Sequence, residues 1–559
     1  MLVRFTLSAG KRLAHVRQLD ARGLHQTWRA LQDKHEHPDT RQPATKTRAE
    51  HLQVDLPLNA PGAGGADPSP SQGAGGSLPS PFQFPPGAPW DAALTTLVGL
   101  GIVFLGGVGY IAWYKRHVLN KIEVAFQAGY DPALELATFR NKDIPDEVEH
   151  LRRREQDLID KIIAGKTHGH YYVLLGPKGT GKGTMILDAM RQIKAEGVAI
   201  LDCHPDLEVF RQRIGKAINF EYYEDSQTGL FQRRDPREGG PALDIERALN
   251  KLEKVALRYA RRTERPLVLI FNNIHLIGNS DDGRNMLLQL QQKAETWAES
   301  GVCTVVFASD DFWPWFALRK TGNRMQIISV QDLNMSEAHS ALLRLRRSKV
   351  KADEVMEHDP STYHKILQYT GGRLALLNKV ARAHDMHAAA EELLTIEKAW
   401  LESRIGLIPD CDDDVMDEQK WSSCSWLLLR EFVRRRKAQE EEFYRALKAG
   451  EVGEEDYHRL EMPKIPFIEA RQIMTRADFI EELDTLNIIA IDIHHNITPE
   501  SMLILHAARS VVEVDGFDDM LDNVRDRIDE IEGLHRQREL ILKKKGSSGS
   551  TWYGWPFLS

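Results

Sequence analysis

The chain has 559 residues, of which 28% are charged and 42% hydrophobic, and its formal net charge is −8. This length exceeds what one hydrophobic core usually organises, so we expect two or three domains together with unstructured segments. The negative charge argues against a protein that binds nucleic acid over its whole surface. Four cysteines are too few for a disulfide framework and lack close metal-ligand spacing: Cys203, Cys303, Cys411 and Cys424.

The amino-terminal segment is basic. Its first fifty residues carry ten Lys and Arg against five Asp and Glu, and Asp20 is the one acid before Leu31. This composition predicts a mitochondrial presequence over residues 1–54, with a basic disordered tail as the alternative. Residues 55–90 contain nine prolines and seven glycines. Because such a segment offers too little apolar surface to offset chain entropy, we expect a disordered linker there.

An apolar stretch of twenty-two uncharged residues follows, from Ala92 to Trp113. Its length suits a helix that spans a bilayer, and Trp and Tyr near its ends are typical of the membrane interface. The sequence therefore predicts a transmembrane helix over residues 91–114, with a buried core helix as the alternative. Together with the presequence-like start, it predicts a single-pass protein of the mitochondrial inner membrane. Lys115 and Arg116 favour the matrix for that flank, whereas arrest of an imported chain at its span favours the intermembrane space, so the side stays open.

The most specific motif is a glycine-rich phosphate-binding loop between the apolar run at 171–175 and a helix-like stretch at 185–194. Backbone N–H groups of such a loop and the positive end of the next helix bind phosphate oxygens, and the lysine ammonium reaches the β- and γ-phosphates. The motif predicts ATP as cofactor, held by Gly176, Pro177, Lys178, Gly179, Thr180, Gly181, Lys182, Gly183 and Thr184.

The metal side of this motif departs from the usual pattern. Gly183 stands where Ser or Thr normally offers a hydroxyl to Mg²⁺, and Thr184 comes one position late. We expect Thr184 and Asn272 to face the metal ion. The Gly-Lys-Gly-Thr ending also occurs in adenylate-kinase-like loops, which adds a nucleotide kinase as a third hypothesis, although no second nucleotide pocket is legible.

Further apolar runs alternate with helical stretches after the loop, and we predict strands at 198–202, 267–271, 302–307 and 325–330. The alternation predicts a parallel sheet with helices on both faces. In the additional-strand class of phosphate-loop ATPases the third strand ends in two acids, but here it ends in Asn272 and Asn273. An amide brings no negative charge to a metal-bound water and accepts no proton at neutral pH. We therefore expect nucleotide binding with slow hydrolysis.

Several later positions resemble catalytic parts of AAA+ ATPases. Ser309 follows the fourth strand, where a polar sensor residue touches the γ-phosphate, with an ordinary helix cap as the alternative. The candidate substitute acids are Asp310 or Asp311, which follow this strand, or Asp281 and Asp282 in the loop after Asn273. Arg319 and Arg324 precede the fifth strand, where AAA+ proteins place an arginine that reaches a neighbour's nucleotide, which implies a homo-oligomer. Arg373, in a Gly-Gly-Arg tripeptide, resembles the lid arginine of the second sensor motif.

On these motifs, and on a partial Arg-Glu-x-x-Leu opening at 154–158, residues 154–404 resemble an AAA+ domain of the origin-recognition-like branch. The resemblance implies a nucleotide-binding core over 154–333 and a helical lid over 334–408. A helical connector over 115–153 would join this domain to the span.

A second domain is predicted over 415–545, with a tail over 546–559. A helix pattern at 473–486, an apolar strand, a turn at 494–496 and a returning strand have the outline of a winged helix. Its candidate recognition helix carries acids instead of Arg and Lys: Asp478, Glu481, Glu482 and Asp484. We therefore expect it to contact a protein partner, and nucleic acid is not expected. His494 and His495 lack a spaced metal-ligand pair, which favours an ordinary turn.

The combination of presequence, span, AAA+ domain and winged helix resembles a group of fungal mitochondrial AAA+ proteins. More distantly, it is similar to the mitochondrial escape protein family of inner-membrane ATPases, which carries an RNA-recognition domain that is not recognisable here. The resemblance implies an α/β phosphate-loop fold with ATP and Mg²⁺. Two hypotheses stay open: a membrane-anchored ATP-binding switch with weak or absent hydrolysis, and an active ATPase that remodels proteins.

Overall fold

A computed structural model describes residues 89–131, 134, 152–222, 240–349, 360–451, 453, 457 and 460–546. The predicted presequence, the linker up to residue 88, most of the polar interval 221–240 and the tail from 547 lie outside the described residues. So does most of the predicted connector, over residues 135–151.

The centre of the protein is a five-stranded parallel sheet with strand order β2-β3-β4-β1-β5. Its strands are rich in Val, Ile, Leu and Phe, and β1 and β4 are buried along their whole length, as strands covered on both faces must be. The predicted fold class is confirmed. The strands are β1 Tyr171–Leu175, β2 Val198–Asp202, β3 Leu267–Asn272, β4 Cys303–Ser309 and β5 Met325–Ser329.

Helices cover both faces of this sheet, because successive strand residues point to opposite sides. Tyr171 and Val173 pack with Phe210 and Trp297 on one face. Tyr172 and Leu174 pack with a second cluster on the other face. The helices of this layer are α2 Gln156–Ile163, α3 Lys182–Gln192, α4 Leu207–Ala217, α5 Gly240–Thr263, α6 Asp281–Ser300 and α7 Trp313–Arg319.

The apolar stretch forms a helix, α1 Pro89–Ala125, that runs on without a break into the folded core. From Ala93 onward this helix is long and apolar enough to cross a bilayer. Its most apolar 18 residues have a mean hydropathy of 1.9, and none of them is buried. At its other end Val118, Ile122 and Ala125 are fully buried in the main core. We expected a separate connector from residue 115. No Gly or Pro lies between Trp113 and Ala125 to interrupt the helix, so the span and the start of the connector are one element.

The lid consists of four helices with their own apolar core around Leu342, Leu367 and Leu377. They are α8 Met335–Lys349, α9 Pro360–Thr370, α10 Leu374–Arg382 and α11 Met386–Ile405.

The last domain contains a three-stranded antiparallel sheet of order β6-β8-β7 among helices. The helix predicted at 473–486 is two helices, because Thr475 takes a left-handed conformation with φ 63°. The core of this domain is continuous with the AAA-like core through Phe312 and Trp315. Its elements are α12 Met416–Ala449, β6 Ile465–Pro466, α13 Phe467–Met474, α14 Ala477–Thr485, β7 Ile489–Ile491, β8 Asn496–Pro499, α15 Met502–Val512 and α16 Phe517–Gly546.

Candidate nucleotide site

The phosphate loop lies between β1 and α3, at the carboxyl edge of the parallel sheet. Gly179 and Gly181 have φ values of 82° and 102°, which L side chains rarely adopt. A Cβ atom on Gly176 would lie 2.0 Å from the Val330 carbonyl oxygen, so only glycine fits there. Gly183 differs from them, since a Cβ atom there would meet nothing within 4 Å. The loop is thus built for close backbone approach, whereas Gly183 is not sterically required.

Lys182 begins α3, and all three of its N–H donors are used inside the loop region. Its Nζ donates to the carbonyl oxygens of Gly176 and of Pro177, the latter at 2.9 Å. The third partner is the Asp310 carboxylate, at 2.7 Å. Burial lowers the pKa of the Lys182 ammonium, and the charge of Asp310 opposes that shift. An arriving phosphate must therefore displace one of these three acceptors.

The segment after β4 supplies the acid that pairs with this lysine. Ser309 is fully buried and donates to the Asp311 carbonyl at 2.7 Å, while the next residue, Asp310, is the one that contacts Lys182. The Asp310 backbone N–H donates to His275 Nδ1 at 3.1 Å. Burial lowers the pKa of His275, which keeps the ring neutral and able to accept at Nδ1. The sensor role predicted for Ser309 stays a prediction, and the sequence did not point to His275.

The two asparagines lie at the end of β3, beside the carboxylate of Asp202 at the end of β2. Asn272 Nδ2 donates to Asp202 Oδ1 at 2.6 Å, and Asn273 Nδ2 lies 3.4 Å from the same atom. The amides are therefore turned to β2, which lies one strand further from the phosphate loop. Thr184 is exposed on α3. Among the residues that the structure describes, no group of three His, Cys, Asp or Glu side chains could hold a metal ion.

Arg373 precedes α10 and joins three parts of the protein. Its Nε and Nη2 donate to the Asp332 carboxylate, and one Nη1 N–H donates to the carbonyl oxygen of Lys178 in the phosphate loop at 2.6 Å. The remaining Nη1 and Nη2 donors reach Glu500 of the winged-helix domain, through its carboxylate and its carbonyl oxygen. These five contacts use all five N–H donors of a guanidinium.

The charges around Arg373 are buried together. Arg373 is 3% exposed and Glu500 9% exposed. Burial raises the pKa of the Glu500 carboxyl, and the charge of Arg373 opposes that shift. The two carboxylates hold the pKa of Arg373 above its ordinary value despite its burial. A buried pair of this kind is costly to break unless another charge replaces the lost partner.

A second buried arginine, which the sequence did not single out, supports the other side of the loop. Arg153 donates from Nη1 to the Thr180 carbonyl oxygen and from Nη2 to the Gln331 carbonyl oxygen. Its neighbour Arg154 pairs with Glu337 of the lid helix α8 at 2.9 Å. Arg153, one residue before the partial motif at 154–158, thus ties the phosphate loop to the segment that follows β5.

The predicted arginine fingers lie away from Lys182 in the chain's own fold. Arg319 ends α7, where its Nη1 lies 2.8 Å from His495 Nε2 in the turn between β7 and β8. Arg324 precedes β5 and lies 3.9 Å from Glu299. Their role toward a neighbouring subunit stays a prediction. His495 is ringed by Phe312, Trp315 and Phe467, so this turn is an interdomain contact.

One acid of the predicted recognition helix is also interdomain. Asp484 of α14 accepts a hydrogen bond from the Phe312 backbone N–H at 2.8 Å. Burial raises the pKa of Asp484 to about 8, and the neighbouring Asp311 adds to the shift. Burial likewise raises the pKa of Asp311 to about 7, with a further contribution from Asp310. This contact joins the residues beside Lys182 to the winged helix.

Comparisons with known proteins fall on the same two domains. Residues 150–305 match the family model "AAA ATPase domain", and residues 402–532 match "Fungal AAA protein, C-terminal winged helix domain". A Walker-type ATPase of Pyrococcus abyssi is similar over 64% of this chain and 96% of its own, with 11% identity and a TM-score of 0.40. The replication initiator DnaA, bound to AMPPCP and single-stranded DNA, is similar over 70% of this chain and 100% of its own, with 11% identity and a TM-score of 0.28. No curated protein sequence matches the chain.

Proposed function

We propose that this AAA+ nucleotide-binding protein, which joins an AAA ATPase domain to a fungal AAA-type winged helix, is a membrane-anchored switch. Nucleotide occupancy sets the position of the winged helix, and the winged helix contacts a protein partner. One observation carries this proposal. Arg373 donates its five N–H groups to the phosphate loop, the core and the winged helix at the same time.

The switching argument follows from donor counting. A γ-phosphate that recruits Arg373 must take an N–H away from Asp332, Lys178 or Glu500. Asp332 holds two donors in a fork, which is the strongest geometry for a carboxylate. Glu500 belongs to a separate domain, and the negative charge of an incoming phosphate repels its carboxylate. We infer that Glu500 is the partner that leaves, so nucleotide binding loosens the winged helix from the loop.

The residues at the phosphate loop fit a nucleoside triphosphate with a weakly held metal ion. The loop glycines leave room for phosphate oxygens, Lys182 supplies charge, and Thr184 would supply a hydroxyl to Mg²⁺. When bound, Mg²⁺ would neutralise charge on the β- and γ-phosphates. Asn272 and Asn273 bring no charge to this side and bond instead to Asp202. These features support binding without rapid hydrolysis.

A second candidate function rests on Asp310. Its carboxylate lies 2.7 Å from Lys182 Nζ, close enough to act on a nucleotide held by that lysine. If it replaces the missing acid after β3, the protein is an active ATPase that remodels proteins. This candidate predicts turnover that disappears in Asp310→Ala.

Membrane anchoring is supported by α1, which exposes a continuous apolar surface, with Leu97, Val103 and Leu105 each more than 70% exposed. A helix of this length with so much apolar surface in water would be unfavourable by the hydrophobic effect. The basic composition of residues 1–54 supports the mitochondrial inner membrane as the location.

Calorimetric titration of the full chain with ATP and ADP, with and without Mg²⁺, tests the proposed function. We expect binding in the wild type, its loss in Lys182→Ala, and turnover well below one per second. Absence of binding heat in the wild type would contradict nucleotide binding altogether. Turnover of several per second that is lost in Asp310→Ala would replace the switch by the active ATPase.

A further inference from the structure

The helix α1 joins the AAA-like core at the edge of the sheet opposite the phosphate loop. The Phe126 carbonyl oxygen accepts from the Gly197 backbone N–H just before β2, at 2.9 Å. Glu123 pairs at 2.6 Å with Arg262, in the last turn of α5, the helix that leads into β3. Both partners lie at the amino ends of parallel strands, whereas the phosphate loop follows the carboxyl end of β1. The membrane-facing end of the core is therefore the amino edge of the sheet.

Six exposed cations cluster on this amino edge, which we call the amino-edge patch. They lie at the end of α2, in the turns before β1, β2 and β3, and in the last turns of α5: Lys161, Lys166, Lys194, Arg258, Arg261 and Arg265. None of the six forms an ion pair with the described part of the chain. Three exposed acids at the same edge, Glu196, Glu264 and Glu299, interrupt them. The patch is thus strongly cationic on a chain whose net charge is −8.

The patch lies within electrostatic reach of a membrane that α1 spans. From Trp113, at the interface end of the apolar stretch, to Glu123, which contacts Arg262, the helix rises about 15 Å. Lys and Arg side chains extend several ångströms, and charges act across a Debye length of about 8 Å at physiological salt. Lys115 and Arg116 lie between the interface and the patch and are exposed as well.

We propose that the amino-edge patch binds the anionic headgroups of the bilayer that α1 spans. This inference rests on the membrane anchoring proposed above. Binding there holds the core against the bilayer, so that the phosphate loop and the winged-helix contact at Arg373 face the aqueous phase. Phosphate groups of nucleic acid have the same chemistry as lipid headgroups. Because α1 contacts the core at this same edge, however, the bilayer is the anionic surface that the patch faces.

The test uses the full chain in a Cys424→Ser background, with a donor fluorophore on His168→Cys, which is exposed in the turn before β1. The protein is reconstituted in phosphatidylcholine vesicles with and without phosphatidylglycerol, and each vesicle carries a headgroup-linked acceptor. We expect energy transfer to rise with anionic lipid and the rise to be lost in Arg258→Glu/Arg261→Glu. The control is Arg445→Glu/Lys448→Glu, two exposed positions three residues apart on α12. This variant should keep the rise in energy transfer with anionic lipid.

The outcomes separate this inference from the proposed function. A chain that is extracted from both vesicle types by alkaline carbonate contradicts membrane anchoring, and the patch proposal fails with it. A chain that stays in the vesicles but shows no lipid-dependent rise, or a rise that Arg258→Glu/Arg261→Glu leaves intact, contradicts the patch alone. If that variant loses binding to labelled duplex DNA and retains the lipid response, the patch is a nucleic-acid surface and the inference is overturned.

Discussion

Replacing Glu500 by Gln should tighten ATP binding. The substitution keeps the shape of the side chain and its hydrogen-bonding ability but removes the negative charge that holds Arg373 to the winged helix. Because the Arg373 guanidinium stays charged, its hydrogen bond to Gln moves toward the lower end of the range of about 1.5 to 3 kcal/mol that hydrogen bonds to charged groups contribute. The competing contact therefore weakens by about 1 to 1.5 kcal/mol, which corresponds to an approximately five- to twelvefold lower Kd for ATP.

The assay is calorimetric titration at pH 8, which favours the ionised carboxylate in the wild type. Glu440→Gln is the matched control, because Glu440 is also a poorly exposed acid of the winged-helix domain and pairs with Arg436 and Arg509. Its partners Arg436, Tyr457 and Arg509 all lie in the winged-helix domain, so the Kd of this variant for ATP should equal the wild-type value. A Kd for Glu500→Gln that is unchanged or higher, with an unaltered control, would refute competition for Arg373.

Three further predictions concern pH, metal and the anchor. Burial raises the pKa of Asp484 to about 8 from an unfolded value of about 3.9, so the stability that the protonated carboxyl contributes is lost as pH rises through that range. The melting temperature of the wild type should therefore fall between pH 6 and pH 9, and it should fall less in Asp484→Asn. An equal fall in the two proteins would contradict this reasoning. Gly183→Thr has room for its side chain and restores the usual hydroxyl, so Mg²⁺ should lower the Kd for ATP more than in the wild type; an equal Mg²⁺ effect would count against it. Ile122→Ala should destabilise the protein by about 2 to 4 kcal/mol in denaturant unfolding, whereas Ile102→Ala on the exposed part of α1 should change little, and equal effects would contradict burial of the helix end.

The parts of the site that were predictable are those encoded locally. The phosphate loop is read from contiguous residues, because strand, glycines and lysine must follow one another for the backbone to enclose phosphate. The strand boundaries followed from short apolar runs between helical stretches. The continuity of α1 could also have been predicted, since no helix-breaking residue lies between Trp113 and Ala125.

The contacts that define the switch were not predictable, because they join residues far apart in the chain. Glu500 lies 127 residues after Arg373, and nothing around it distinguishes it from other surface acids. The sequence groups Asp484 with neighbouring acids on one helix. In the structure it is buried and accepts a hydrogen bond from the Phe312 backbone, so it joins the two domains. The side chains of Asn272 and Asp202 meet only through strand register, which the sequence of either strand leaves undetermined.

Hydrogen exchange of the full chain in vesicles tests the central claim most directly, with and without saturating ATP. If ATP draws Arg373 away from Glu500, amides at the start of α15, where Ser501 caps the helix, should exchange faster with ATP than without it. In Lys182→Ala the two exchange rates should be equal. Unchanged or slower exchange at these amides, in a wild-type protein shown to be saturated with ATP, would contradict the switch.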